Sequence, residues 1–280
     1  MKKNKILITI YYVVLAFIFS ILLSILGELV FKSSKKIFDM FTGNLVSTII
    51  SGILCILIVV FGVMKRYLPK RNININNKYY WIQFVPGSMF LLVSFILIFA
   101  NTIRLIDLGL GPFNFIIDFA NNLTLTDFTI FDFCLLSPII EEFIYRVFVF
   151  KKLQTIYIGK MRVIVSALIF GFIHLNYSQG IKALLIGLIL GWIYYYTHSF
   201  FLVAFLHILN NTYFVVSNLY PSMIYTIKEG FNIAELLIGI LIGIIAILLI
   251  RAFVKNNPVR YEEDVIEEQM KLQSNEAVVD

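Results

Sequence analysis

The chain reads as long apolar stretches separated by short polar ones. The apolar runs cover residues 6–30, 45–64, 84–103, 128–150, 163–175, 181–196, 200–219 and 234–254. About 20 apolar residues at helical rise cross the hydrocarbon of a bilayer, and most of these runs reach or approach that length. They are apolar all round, without the alternation of a half-buried strand. The pattern predicts an all-α fold: a polytopic membrane helical bundle of about eight transmembrane helices. Small residues recur every four positions in two runs, at Ala183, Gly187 and Gly191 and at Gly239 and Gly243. That spacing predicts close helix–helix packing.

The polar stretches divide the chain. The first run follows Lys2, Lys3 and Lys5 like the start of a signal peptide. It is too long for a signal core and lacks a small-residue cleavage pattern, so it is expected to stay as a helix. Residues 1–126 hold three runs and a mixed segment, 104–127, broken by Gly109, Gly111 and Pro112. That segment is expected to be re-entrant, interfacial or a loop on the headgroups. Residues 127–254 hold the other five runs, and Asp127 offers a helix N-cap. Residues 255–280 form a polar, acidic tail expected in solvent.

Composition agrees with a membrane protein. Of 280 residues, 60% are hydrophobic and 14% charged, and the mean hydropathy is +0.88. The net charge of +6 therefore reads as basic cytoplasmic loops, with the lipid bilayer as partner and no nucleic acid. With the N-terminus inside and eight spans, inside segments carry 16 Lys and Arg and outside segments 6; Arg146 completes the 23. Both termini are thus expected in the cytoplasm, in a multi-pass protein of the cell membrane. Lys32, Lys35 and Lys36 dissent. Cys55 and Cys134 lie in apolar runs and read as buried thiols, not a disulfide.

One run carries charges it should not. Glu141, Glu142 and Arg146 lie inside 128–150, where each ionisable group costs roughly 2.5–3.5 kcal/mol on insertion scales. Glu142 and Arg146 are i,i+4 and can pair on one helix face. Glu141 points about 100° away, without a local partner. Ser137, one turn before it, reads as a helix-packing hydroxyl. Two further runs carry polar groups at comparable depth. Glu141 lies about 13 Å from its inner span end, His174 about 18 Å and His207 about 12 Å, with Asn211 a turn beyond. Each histidine alone could simply bond a neighbouring helix. Together the four groups can line one cavity open to the cytoplasm. His198, in a turn at the membrane edge, is not expected to belong to it.

Such a set suits water activation: a carboxylate in a partly dry cavity as base, a histidine beside it, and a second histidine with an amide as oxyanion donors. Two histidines and a carboxylate could equally ligate zinc. There is no H-E-x-x-H and no serine placed for a triad, so a metal is left open and no cofactor is required.

Three motifs carry a resemblance. They are Glu141-Glu142-Phe-Ile-Tyr-Arg146, Phe170-Gly-Phe-Ile-His174 and His207-Ile-Leu-Asn-Asn211, in that order on successive runs. Over about residues 127–215 the chain resembles the CAAX protease and bacteriocin-processing family of intramembrane endopeptidases, relatives of type II CAAX prenyl endopeptidases. The resemblance implies that Glu141 and His174 activate water and that His207 and Asn211 form the oxyanion site. It makes Glu142 and Arg146 a structural pair and gives Phe170 a part in shaping the pocket. It implies a peptide or membrane-protein substrate cut near the cytoplasmic face. The competing readings are a non-enzymatic membrane protein, such as a bacteriocin immunity protein or sensor-kinase scaffold, and a transporter. The absence of paired broken helices or repeats speaks against a transporter.

Overall fold

The computed structural model describes residues 77–107, 130–153, 157, 159–174, 177–219 and 232–257, with isolated positions 49, 50, 52, 53 and 57. The described residues are helical, with no strand among them. The first expected span and the 104–127 segment beyond residue 107 lie almost wholly outside the described residues, as does the acidic tail beyond 257. Of the second span only the isolated positions are described, all helical.

Six helical stretches follow. We label Val85–Asp107 α1 and the stretch Asp132–Leu136, Ser137–Glu142, Phe143–Val149 and Phe150–Leu153 α2. Met161–Ile173 is α3, Tyr177–Thr197 α4, Phe200–Leu219 α5 and Ile233–Asn256 α6. Among the described residues four helices are long and apolar enough to cross a membrane: Tyr80–Thr102, Gln179–Thr197, Phe200–Ser217 and Ile233–Asn256. The expected third, sixth, seventh and eighth spans coincide with these. The expected fourth and fifth do not form single long α-helices. α3 has 13 residues, too short for a perpendicular crossing.

α2 alternates between α and wider π turns for an identifiable reason. Pro138 has no N–H to give the carbonyl four residues earlier, and its ring crowds that carbonyl. The π-helical turn Asp132–Leu136 stands immediately before it. The same arrangement recurs at Pro86, behind the π-helical turn Tyr80–Phe84. A widened turn absorbs the proline without breaking the helix. The third π stretch, Phe143–Val149, has no proline; it carries Tyr145 and Arg146.

Packing follows the small residues. A Cβ on Gly239 would meet Leu97 and Ile98, one on Gly243 would meet Ser94, and one on Gly87 would meet Ala246, Leu249 and Ile250. α1 and α6 therefore run antiparallel in close register. Polar groups fasten both ends: Asn101 Nδ2 donates to Glu235 Oε2 at 3.2 Å, and Asn77 Nδ2 to Asn257 Oδ1 at 2.8 Å. The rest of α6 exposes Leu237, Ile238, Leu241, Ile245 and Leu248, as a lipid-facing helix should.

α3 and α4 form a second antiparallel pair. Gly187 lies against Ala167 and Phe170, and Gly191 against Val163 and the Arg146 guanidinium. Where the pair is tightest, a Cβ on Gly171 would stand 2.8 Å from the Gly180 carbonyl and 2.9 Å from Leu184 Cβ. α2 and α5 are antiparallel too, with Phe143 edge-on to Phe200 at one end and Phe133 beside Phe214 at the other.

One expectation about the polar connections changes. Arg162 does not belong to a solvated basic loop. It is fully buried, with its guanidinium over Phe150 at 5.5 Å and Tyr195 at 5.3 Å and its Nε donating to the Gly159 carbonyl at 3.2 Å. Gly159 sits at φ +60, in the left-handed region where a residue without Cβ is favoured. The α4–α5 turn is buried as well. Thr197 Oγ1 accepts from Ser199 N at 3.1 Å and Ser199 Oγ from Leu202 N at 3.4 Å. Between them His198 takes φ +47. Burial, reinforced by the Arg162 cation, lowers its pKa from 6.5 to about 4.

Two consequences can be measured. Gly171→Ala must push the α3 and α4 backbones apart, so thermal unfolding in detergent should occur several degrees lower, whereas Gly52→Ala, which meets nothing within 4 Å, should be neutral. For His198, the unfolded chain takes up a proton between its ordinary pKa of 6.5 and the folded value of about 4 that the folded chain does not. Stability therefore falls as pH drops through that window and levels off below it. His198→Asn, which tolerates the left-handed backbone, should flatten the dependence of unfolding temperature on pH between 7 and 4.5.

Candidate active site

The site is built on α2. Glu142 is completely buried and accepts from Arg146 Nε at 2.8 Å through Oε2. Arg146 is equally buried. Its Nη1 donates to Ser166 Oγ on α3 at 3.2 Å, and Ser166 in turn donates to the Tyr145 carbonyl at 3.4 Å. Phe170 lies beneath the guanidinium at 5.6 Å. The i,i+4 pair expected from spacing is thus formed, and it also ties α2 to α3.

The second oxygen of Glu142 does something the spacing did not reveal. Glu142 Oε1 stands 3.0 Å from His207 Nδ1 on α5. A carboxylate only accepts hydrogen bonds, so Nδ1 carries the proton. His207, 3% exposed, is thereby held in one orientation with Nε2 turned the other way. Nε2 lies 3.7 Å from Glu141 Oε2. Glu142 is therefore more than a partner for Arg146: it also positions a site histidine.

Glu141 is the more open of the two acids, 28% exposed. It has a local partner after all. Ser137 Oγ donates to Glu141 Oε1 at 2.7 Å, so Ser137 is no mere packing hydroxyl. The i,i+4 spacing was the available signal. This bond leaves Oε2 directed at the space beside His207.

Phe170 joins the two histidines. Its ring is edge-on to His174 at 5.0 Å and to His207 at 5.9 Å. His174 follows the last residue of α3, and its Nδ1 lies 2.8 Å from the Phe170 carbonyl. A carbonyl also only accepts, so His174 Nδ1 bears its proton and Nε2 keeps a lone pair. Asn211 is nearly buried. Its Nδ2 donates to the Phe133 carbonyl on α2 at 3.1 Å, and its Oδ1 accepts from Asn210 at 3.1 Å. One of its amide hydrogens remains uncommitted. Glu141, Glu142 and His207 are thus in mutual reach, His174 is linked to them through Phe170, and Asn211 borders them through Phe133. His198 lies apart, packed on Tyr194.

Among the described residues no group of three His, Cys, Asp or Glu side chains could hold a metal ion. His207 Nδ1 is committed to Glu142 and His174 Nδ1 to a carbonyl. Nε2 is therefore the nitrogen that each ring presents to the site.

Residues 124–213 match the family model for type II CAAX prenyl endopeptidase Rce1-like proteins. Over this segment, about a third of the chain, the sequence is similar to the CAAX protease family. No curated protein and no solved structure matches the chain. The matched segment runs through α2, α3, α4 and most of α5, so it contains every polar group just described. The α1–α6 pair lies outside it. The local Ser137–Glu141 contact and the tertiary Glu142–His207 contact both lie within the matched segment.

Removing one member of a fully buried ion pair strands the other. Glu142→Gln or Arg146→Met should lower stability by roughly 3–5 kcal/mol, seen as a large fall in unfolding temperature in detergent. The double variant should recover part of that loss, since no charge is then stranded.

Proposed function

We propose that the protein is an intramembrane endopeptidase that hydrolyses a peptide bond of a peptide or membrane-anchored substrate. The observation carrying this reading is the pair of carboxylates on consecutive residues with opposite circumstances. Glu142 is buried and doubly bonded, whereas Glu141 is partly open and faces His207 Nε2 at 3.7 Å. The family match supports the class of reaction.

In this reading Glu141 is the general base. It takes a proton from water while the water oxygen bonds to the scissile carbonyl carbon. His174 Nε2, with its free lone pair, holds the same water. The carbonyl oxygen becomes an oxyanion. His207, held through Nδ1 by Glu142, donates from Nε2, and Asn211 donates its remaining amide hydrogen. The proton on Glu141 then passes to the amide nitrogen, the C–N bond breaks, and a carboxylic acid and an amine leave. Glu142 positions His207 and does not touch substrate. Arg146 pairs with Glu142, and Ser137 directs Glu141.

Both termini are assigned to the cytoplasm on the excess of basic residues in the inside segments, which puts cleavage toward the cytoplasmic side. Residues 127–254 are taken as the catalytic unit with the last helix, and residues 1–126 as accessory spans.

Glu141→Gln keeps size and Ser137's acceptor but removes the base. Peptides released from membranes, followed by mass spectrometry, should lose the products present with the parent, a fall of at least about 100-fold for a general base. The variant should unfold at the parent's temperature. Full processing by both Glu141→Gln and His174→Ala would end this reading.

A further inference from the structure

Arg146 and Tyr194 are both fully buried. Among the described residues neither Arg146 Nη2 nor Tyr194 Oη has a hydrogen-bond partner. Buried polar atoms are rarely left in that condition, because losing water without gaining a partner is costly. The two atoms belong to one interface. Gly191 of α4 lies against the Arg146 guanidinium, where a Cβ would stand 3.8 Å from Nη1. Tyr194 follows Gly191 on the same face of α4, and its ring meets Phe150 edge-on at 5.3 Å. Phe150 follows Arg146 along α2 by about one turn. The face of α4 that carries Gly191 and Tyr194 therefore runs along the face of α2 that carries Arg146 and Phe150.

The surroundings restrict what can stand between the two atoms. A long side chain on a helix leans toward that helix's N-terminus, which carries the Tyr194 hydroxyl from the level of Phe150 toward Gly191 and Arg146. The charges of Arg146 and Glu142 both act on that hydroxyl. Nη2 shares with Nε the edge of the guanidinium that faces Glu142. A guanidinium only donates, so whatever bonds Nη2 must accept. It must be neutral, since Glu142 already balances the Arg146 charge. It must also bond a phenol, which donates or accepts. Water meets all three conditions. Each Glu142 oxygen has taken one hydrogen bond, from Arg146 and from His207, and can accept another. The carboxylate thus offers a third partner, and two to four polar partners hold a buried water.

We propose that one ordered water binds between Arg146 Nη2, Tyr194 Oη and the Glu142 carboxylate, and that Tyr194 acts through it as a positioning residue for His207. The carboxylate that fixes His207 is then held from three helices: by Arg146 on α2, by His207 on α5 and, through the water, by Tyr194 on α4. Without the hydroxyl the water loses a partner and Arg146 Nη2 is stranded. Glu142 can then turn about its side-chain bonds, which loosens its hold on His207 Nδ1. Tyr194 touches neither the substrate nor the water that is consumed. The water site stands on its own geometry, whereas its effect on peptide cleavage rests on the hydrolase reading.

The test uses the full chain in nanodiscs and Tyr194→Phe, which keeps the ring and removes only the hydroxyl. The variant should unfold a few degrees lower than the parent, because the water and Nη2 lose a partner. A hydroxyl without a water would be a stranded polar group, and its removal would leave the unfolding temperature unchanged or raise it; that result overturns the inference. His207 gives a readout that a loss of folded protein does not move. In protein labelled with nitrogen-15 histidine, its signal is assigned by its absence from His207→Asn. Its Nδ1 proton resonance should shift upfield in Tyr194→Phe as the bond to Glu142 loosens, and an unmoved resonance overturns the positioning role. Peptides should be released from membranes about tenfold more slowly, the scale of losing an outer partner of a site residue. Tyr196→Phe, on the same helix and stacked on Trp192 at 5.7 Å, should change none of these. An experimental structure sharp enough to show ordered waters should place one on Nη2 and Oη, and a direct bond between those atoms overturns the inference. If the parent releases no peptide, the hydrolase reading falls, while the unfolding temperature and the resonance still decide the water site and its hold on His207.

Discussion

A single buried carboxylate organises the centre of this protein. Glu142 is bound on one oxygen by Arg146 and on the other by His207, so it fixes α5 against α2 while Arg146 reaches Ser166 on α3. Three helices share one charge network in an apolar interior. None of these groups can be removed alone without leaving a desolvated charge or donor, a penalty of several kcal/mol. That all-or-none character makes the network a positioning device. It holds His207 Nε2 in the space that Glu141 also faces.

The surrounding structure serves this arrangement through close approach. Gly191 leaves room for the Arg146 guanidinium, and Gly187 leaves room for Phe170. Phe170 then touches Arg146, His174 and His207. A larger residue at either glycine would push α4 away from α3 and displace Phe170 from between the two histidines. The four-residue spacing of small side chains, a packing signal in the sequence, thus sets the geometry of the site. The α1–α6 pair has its own seam of glycines and its own polar clasps, and it lies outside the segment that matches the family. Its long apolar outer face suits a supporting wall in lipid.

Much of the local design was legible beforehand. The Glu142–Arg146 pair follows from i,i+4 spacing because both residues lie on one helix. The same rule links Ser137 to Glu141, although a serine one turn away is too common for the contact to stand out. The sixth, seventh and eighth apolar runs became long helices because nothing in them interrupts the pattern, and the third did so because its Pro86 stands at the start of the α-helix, behind the π turn. The fourth became a mixed α and π helix because Pro138 removes a backbone donor. The fifth stopped at 13 residues, with His174 at its end. Hydropathy does not report such breaks, since the side chains stay apolar through them.

What the sequence by itself determined is everything that depends on periodicity along one helix: the membrane-spanning character, the faces that carry acids, histidines and glycines, and the three motifs in order. What only the tertiary structure decided is which faces meet. Glu142 could have spent both oxygens on Arg146, and a one-face rotation of α5 would have turned His207 elsewhere. Arg162 could have remained in solvent instead of between Phe150 and Tyr195. The physical reason is common to all of these. A helix fixes the angle between its own residues through backbone hydrogen bonds, but its rotation and depth against a neighbour are set by how side chains of distant segments pack.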